Sequence, residues 1–149
     1  MTNNVEHKRY IRRCIELARH AALTNDMPVG SLIVCGGQII AEGIEAVRAM
    51  SDVTAHAEIQ ALRAAFVQLG SYDLTRCTLY TSVEPCIMCA YATRLARVSV
   101  VVSGTRPAEM PSTINGHTVL SDANILPSRP VPLLIRDVLE LECRAVFGQ

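Results

Sequence analysis

A three-layer α/β/α sandwich, built on a central, mostly parallel mixed sheet of about five strands, is the fold class this sequence predicts. Helical and strand periodicities alternate along the chain. The run Val98–Val102 is almost continuously apolar, as a strand is when helices cover both its faces. The 149 residues fit one domain, spanning 1–149, with a hydrophobic core of its own.

The elements follow in order. Ile11, Cys14, Ile15, Ala18 and Ala22 recur at helical spacing and predict an amphipathic helix to about Leu23, broken by Thr24, Asn25, Asp26 and Pro28. Val29–Cys35 reads as a buried strand, and Gly36-Gly37 as a two-residue hairpin turn into Gln38–Ala41. A second helix begins near Ala55, with Ile59, Leu62, Phe66 and Leu69 as its inward stripe and Gly70 near its end. Cys77–Ser82 is the next strand, and Pro85 opens a third helix through about Ala96 as a first-turn proline. After Val98–Val102, the stretch from Gly104 to Gly116 reads as a loop with a short turn, and His117–Leu120 as a last short strand. Dense apolar residues from Val131 to Phe147, with an i,i+4 pair of Glu140 and Arg144, predict a closing helix.

Composition narrows the function classes. Half the residues are hydrophobic, which suits a compact enzyme rather than a disordered chain. Lys and Arg total 14, as do Asp and Glu. The formal charge is therefore zero and leaves no electrostatic footprint for nucleic acid. Glu6, His7, Lys8, Arg9, Arg12 and Arg13 interrupt any leader-like apolar stretch at the start, and no apolar run is long enough to span a bilayer. The expectation is a cytoplasmic protein with no membrane partner. Of the six cysteines, Cys86 and Cys89 have metal-ligand spacing; Cys14, Cys35, Cys77 and Cys143 are expected to be small core residues rather than disulfides.

The chemistry is concentrated in two short motifs, T-A-H-A-E at Thr54–Glu58 and V-E-P-C-I-M-C at Val83–Cys89. They supply one imidazole, two thiolates and one spare carboxylate. Cys86 and Cys89 are three residues apart on a helix, so both sulfurs face the same way, near a helix N-terminus that favours thiolate. His56 completes three ligands for Zn2+, leaving the fourth position to water, and Glu58 is placed to move that water's protons rather than to bind the ion. A structural zinc site would need a fourth Cys or His, yet His7, His20, His117 and the other cysteines show no partner spacing. A redox C-x-x-C would leave His56 and Glu58 without a role.

These residues, with the strands M-P-V-G-S-L-I-V from Met27 and T-L-Y-T-S from Thr78, resemble the cytidine and deoxycytidylate deaminase superfamily. The pattern is most similar to the branch of guanine deaminases, cytosine deaminases and tRNA adenosine deaminases, and covers roughly Tyr10 to Gly104. The resemblance implies a cytidine deaminase-like fold, zinc on His56, Cys86 and Cys89, and Glu58 as proton shuttle. It also implies a ring substituent on the Ala57 N–H, the Glu84 carbonyl accepting from the departing amine, and a homodimer or higher homo-oligomer. In one place the chain departs from the pattern: where such proteins carry a ring-binding Asn, counting back from His56 reaches Glu45. A carboxylate only accepts, so Glu45 would prefer a ring edge with two N–H donors, unless it points to solvent. Arg136 and Arg144 near the C-terminus are matched by Asp137, Glu140 and Glu142, which counts against a nucleic-acid partner.

The sequence thus predicts a zinc-dependent aminohydrolase acting on a small amino-substituted heterocycle, a free nucleobase or nucleoside of guanine or cytosine type. A tRNA-specific adenosine deaminase is the alternative, and a non-catalytic zinc-stabilised binding module the second.

Overall fold

Gly36 and Gly37 hold φ of 59° and 76°, the left-handed pair that a tight hairpin turn requires. In this computed structural model, which describes residues 4–107 and 115–148, they join β1 (Gly30–Cys35) to β2 (Gln38–Ile44). Three further strands follow: β3 (Cys77–Val83), β4 (Val100–Thr105) and β5 (Leu133–Ile135). The sheet order is β2-β1-β3-β4-β5. The sheet is mixed as expected, but its balance is even rather than mostly parallel. β1 is antiparallel to both β2 and β3, whereas β3–β4 and β4–β5 are parallel. The short hairpin forces the first pairing, and the helical crossover between β3 and β4 makes the third parallel.

Alternation along the strands builds the three layers. Leu32, Val34, Tyr80 and Val102 point to one face, where they meet α1 (Asn4–Leu23) and α6 (Glu140–Phe147). Ile33, Leu79 and Val101 point to the other, against α3 (Ala57–Leu69), α4 (Ile87–Leu95) and α5 (Gly116–Ser121). A single turn, α2 (Val47–Met50), follows β2.

α3 lies so close to β2 that a Cβ on Gly43 would stand 2.3 Å from the Ala57 carbonyl oxygen. Only small residues fit on that side, and Ala57, Ala61 and Ala65 are fully buried there with Leu62. The expected stripe is therefore rotated: Leu62 is inward, Ile59 and Phe66 are partly buried, and Leu69 is 43 % exposed.

Three other expectations are corrected. His117–Leu120 is helical, not a strand, because the Asn115 side chain accepts from Thr118 N–H and caps α5. The predicted closing helix is divided into β5 and a shorter α6, with Asp137 and Leu139 at positive φ between them. Cys35 and Cys77 form a disulfide across the β1–β3 ladder, where register sets them opposite each other with Cα atoms 4.5 Å apart. Cys14 and Cys143 are buried as expected. Residues 108–114, within the expected Gly104–Gly116 loop, lie outside the described residues.

Arg94, near the end of α4, is completely buried and donates to the carbonyls of Val119, Asp122, Leu126 and Arg129. One guanidinium thereby pins the whole connection after α5 to the helix that carries Cys89. No helix among the described residues is long and apolar enough to cross a membrane.

Candidate active site

Two helix N-termini converge at the C-terminal ends of β2 and β3. His56 is the N-cap of α3 and Cys86 the N-cap of α4, both with extended backbone, and Cys89 lies in the first turn of α4. Pro85 therefore precedes the cap instead of occupying the first turn, since Cys86 must stay extended for its sulfur to turn toward His56. α5 presses on this corner, where a Cβ on Gly116 would overlap the Pro85 carbonyl.

His56, Cys86 and Cys89 place their ligand atoms within 4.8 Å of one another, and among the described residues no other His, Cys, Asp or Glu joins them. Tetrahedral zinc, with bonds of about 2.3 Å to sulfur and about 2.0–2.1 Å to nitrogen, sets N and S about 3.6 Å apart. His56 Nδ1 lies 3.6 Å from Cys86 Sγ and 3.5 Å from Cys89 Sγ. The donor set fits such an ion with a coordination position to spare. The Cys86 thiol is pulled down to about 5, chiefly by its hydrogen bond with Cys89, against the opposing effect of burial. The same bond, and then burial, push Cys89 up. Cys86 is thus poised as the thiolate a metal requires.

Glu58 is 4 % exposed. Burial lifts its carboxyl to about 7, with neighbouring Cys86 and Glu45 adding to the rise. Sequence reasoning missed its partner, Thr81. Continuing the alternation of Leu79, Thr81 points to the α3 face, where its hydroxyl lies 3.0 Å from Glu58 Oε1 and 2.9 Å from the Val83 carbonyl oxygen. A hydroxyl has one proton and cannot serve both acceptors. A protonated Glu58 donating to Thr81, which donates on to Val83, satisfies the chain of three.

Glu45 is 6 % exposed and turned inward, not to solvent. Its Oε1 accepts from the Ala57 N–H at 3.0 Å. The donor expected to meet a ring substituent is instead engaged by Glu45, because β2 carries that carboxylate to the positive end of α3. Burial raises the Glu45 carboxyl above its usual range, with His56 and the Ala57 bond opposing. Glu84 is fixed at both ends: its N–H donates to the Thr105 carbonyl at 2.8 Å and its side chain accepts from Arg136 Nε at 2.7 Å. Arg136, read as part of a charge-balanced tail, is thus a strut of the site. Phe147 packs on Val29, Ala57 and Val83, forming an apolar wall beside α3, while Arg144 pairs with Glu140 at the exposed surface. A recess of about 260 Å³ beside Cys86 is lined by Glu84, Arg106, Asn115 and Arg136.

A family model for the cytidine and deoxycytidylate deaminase zinc-binding region matches residues 4–105. The chain belongs to the cytidine and deoxycytidylate deaminase family. This deaminase is an aminohydrolase by kinship, and its relatives divide over substrate. It is 31% identical over 116 residues to a tRNA-specific adenosine deaminase of Aquifex aeolicus, covering 78% of this chain and 77% of that protein. It is 43% identical over 98 residues to a guanine deaminase of Bacillus subtilis, 65% of this chain and 63% of that one. A tRNA(Ile)-lysidine synthase of Deinococcus deserti is 51% identical over 89 residues, 59% of this chain but 17% of the synthase. Among solved structures, a tRNA:A34 deaminase superposes with a TM-score of 0.79 at 29% identity, covering 93% of this chain and 98% of the other. The predicted exclusion of nucleic acid finds no support in these relatives.

Proposed function

We propose that the deaminase hydrolyses an amino group from a small heterocycle, a free nucleobase or nucleoside, with zinc held by His56, Cys86 and Cys89. The ion, when bound, acts as a Lewis acid on water in its open position. Glu58 takes one proton from the attacking water and delivers it to a ring nitrogen as the hydroxyl adds to the amino-bearing carbon. It then carries the added hydroxyl's proton to the amine, which leaves as ammonia while the ring carbonyl forms. The raised carboxyl suits both halves of the transfer, because an acid near neutrality gives and takes with similar ease. The Glu84 carbonyl, its direction fixed by Thr105 and Arg136, accepts from the amine being lost. Val29, Val83 and Phe147 supply the apolar walls for a flat ring.

The observation that carries this reading is the His56, Cys86 and Cys89 cluster, joined by no fourth such group among the described residues, together with the buried carboxylate of Glu58. It weighs against a zinc-stabilised binding module, which would close the shell with a fourth ligand. A tRNA adenosine deaminase is the second reading, favoured by the Aquifex aeolicus relative and the tRNA:A34 deaminase fold. Ammonia release by zinc-loaded protein separates the two, using free amino-purines, amino-pyrimidines, pterins and triazines beside an anticodon stem-loop. Turnover of the RNA alone would overturn the small-molecule reading. Self-association belongs to the same proposal, through the apolar face on which Tyr72, Tyr91 and Leu95 are exposed; sedimentation at micromolar concentration checks it.

A further inference from the structure

We infer that Glu45 reads the substrate ring as a single hydrogen-bond acceptor, admitting heterocycles that turn an N–H toward it and rejecting those that offer only a lone pair there. This rests on the small-molecule deaminase reading and names the ring chemistry it selects.

The geometry follows from β2. Ala41, Gly43 and Glu45 share one side of the chain by alternation: Ala41 is in the core under α3, and Gly43 touches the start of α3. The missing Cβ at Gly43 lets the end of β2 approach the N-terminus of α3, and the Glu45 side chain bridges to Ala57 N–H. That bond occupies Oε1. No described residue bonds Oε2. Yet Oε2 is not sealed away, since Ser31 Oγ and Arg94 Nε are the only buried, unpartnered side-chain atoms among the described residues. The carboxylate lies within electrostatic reach of His56 and Cys86, and Glu58 feels its charge in turn. Ala57, whose N–H holds Oε1 at 3.0 Å, stands between His56 and Glu58 in the chain, so the carboxylate borders both the proposed metal ligands and the proposed shuttle.

Two consequences follow. The α3 terminus gives its first N–H to Glu45, so it has no free donor at Ala57 for a ring carbonyl. What it offers instead is one anionic acceptor. A lactam N–H beside an amino-bearing carbon matches it, as in guanine or a 2-amino-4-oxopteridine. The bare N3 of cytosine and N1 of adenine set lone pair against carboxylate. The two-donor edge expected from an unbonded carboxylate is thus reduced to one.

Binding tests this without turnover. Zinc-loaded Glu58→Ala protein is titrated calorimetrically with guanine and with 2-aminopurine, which keeps the 2-amino group but has a bare N1. Guanine is expected to bind about 10-fold or more tightly, the range of a hydrogen bond to a charged acceptor. Adding Glu45→Gln preserves an oxygen for Ala57 N–H and replaces Oε2 by an amide NH2, and the ratio is expected to vanish or invert. Equal binding of the two bases by the protein that keeps Glu45, which needs no change at that position, would overturn the inference. So would a ratio that Glu45→Gln leaves in place. Should wild-type protein release no ammonia from any small heterocycle while the binding ratio holds, the deaminase reading falls and the Glu45 inference stands. Ammonia release with no binding ratio leaves the deaminase reading in place and removes the role of Glu45.

Discussion

The Thr81 hydroxyl stands 3.0 Å from Glu58 Oε1 on a fully buried strand position, with its other contact to the Val83 carbonyl. It accepts when Glu58 holds a proton and donates when Glu58 is ionised, so it supports both states of the proposed shuttle. Thr81→Val is expected to lower kcat about 10-fold with little change in KM, and to shift the pH–rate profile. Thr81→Ser, which keeps the hydroxyl, is expected to restore both. Steady-state kinetics across pH 5–9 checks this, and a change in KM alone would point to packing instead.

Metal binding and proton transfer are assigned to different residues, which makes them separable. Glu58→Gln is expected to retain one zinc per chain while losing about 10²–10⁴-fold in turnover. His56→Ala is expected to lose the zinc itself. Metal content by mass spectrometry beside ammonia release distinguishes the two, and loss of zinc from the Gln variant would count Glu58 among the ligands.

The disulfide is a clear target for stability measurement. Cys35 and Cys77 are 42 residues apart in sequence. Closing a loop of that size stabilises by about 4 kcal/mol in the chain-entropy account. Reduction with a phosphine is expected to lower Tm by several degrees, and a Cys35→Ser/Cys77→Ser protein to melt at the reduced value whether or not reductant is present. If the double variant melts with the oxidised wild type, the cross-link contributes nothing.

His7 gives the fold a pH dependence away from the metal. It is 7 % exposed, with Nδ1 2.9 Å from the Tyr80 hydroxyl, and burial holds its pKa below 6.5, against the opposing charge of Glu6. The folded state therefore binds its proton less readily than the unfolded chain. The stability involved is fully present above pH 6.5 and is lost as pH falls through the lowered folded value. Urea midpoints at pH 7.5 and 5.5 should drop further for wild type than for His7→Gln; equal drops would remove His7 as the cause.

The motifs were legible because helix geometry is local. Cys89 follows Cys86 by three positions and Glu58 follows His56 by two, so the relative placement within each pair needs no knowledge of the rest of the chain. The apolar strands were legible for the same reason. The tertiary structure brings the two motifs together, with His56 Nδ1 3.6 Å from Cys86 Sγ and 3.5 Å from Cys89 Sγ. Less legible were His117–Leu120 and the start of the Val131–Phe147 segment, where a six-residue helix replaced the expected strand and a three-residue strand replaced the first part of the expected closing helix. Such short pieces are set by a cap at Asn115 and by Arg94 reaching across more than 25 residues, not by periodicity.

What the sequence by itself determined is the two short motifs that carry the proposed ligands and proposed shuttle, the hairpin glycines and the layered α/β class, each encoded within a few consecutive residues. Only the tertiary structure decided that Thr81 meets Glu58, that Arg136 steadies Glu84, that Cys35 bonds Cys77, and that Glu45 takes the Ala57 N–H. Each of those pairs joins separate segments of the chain, and strand register and the close packing of α3 on β2 fix which atoms meet.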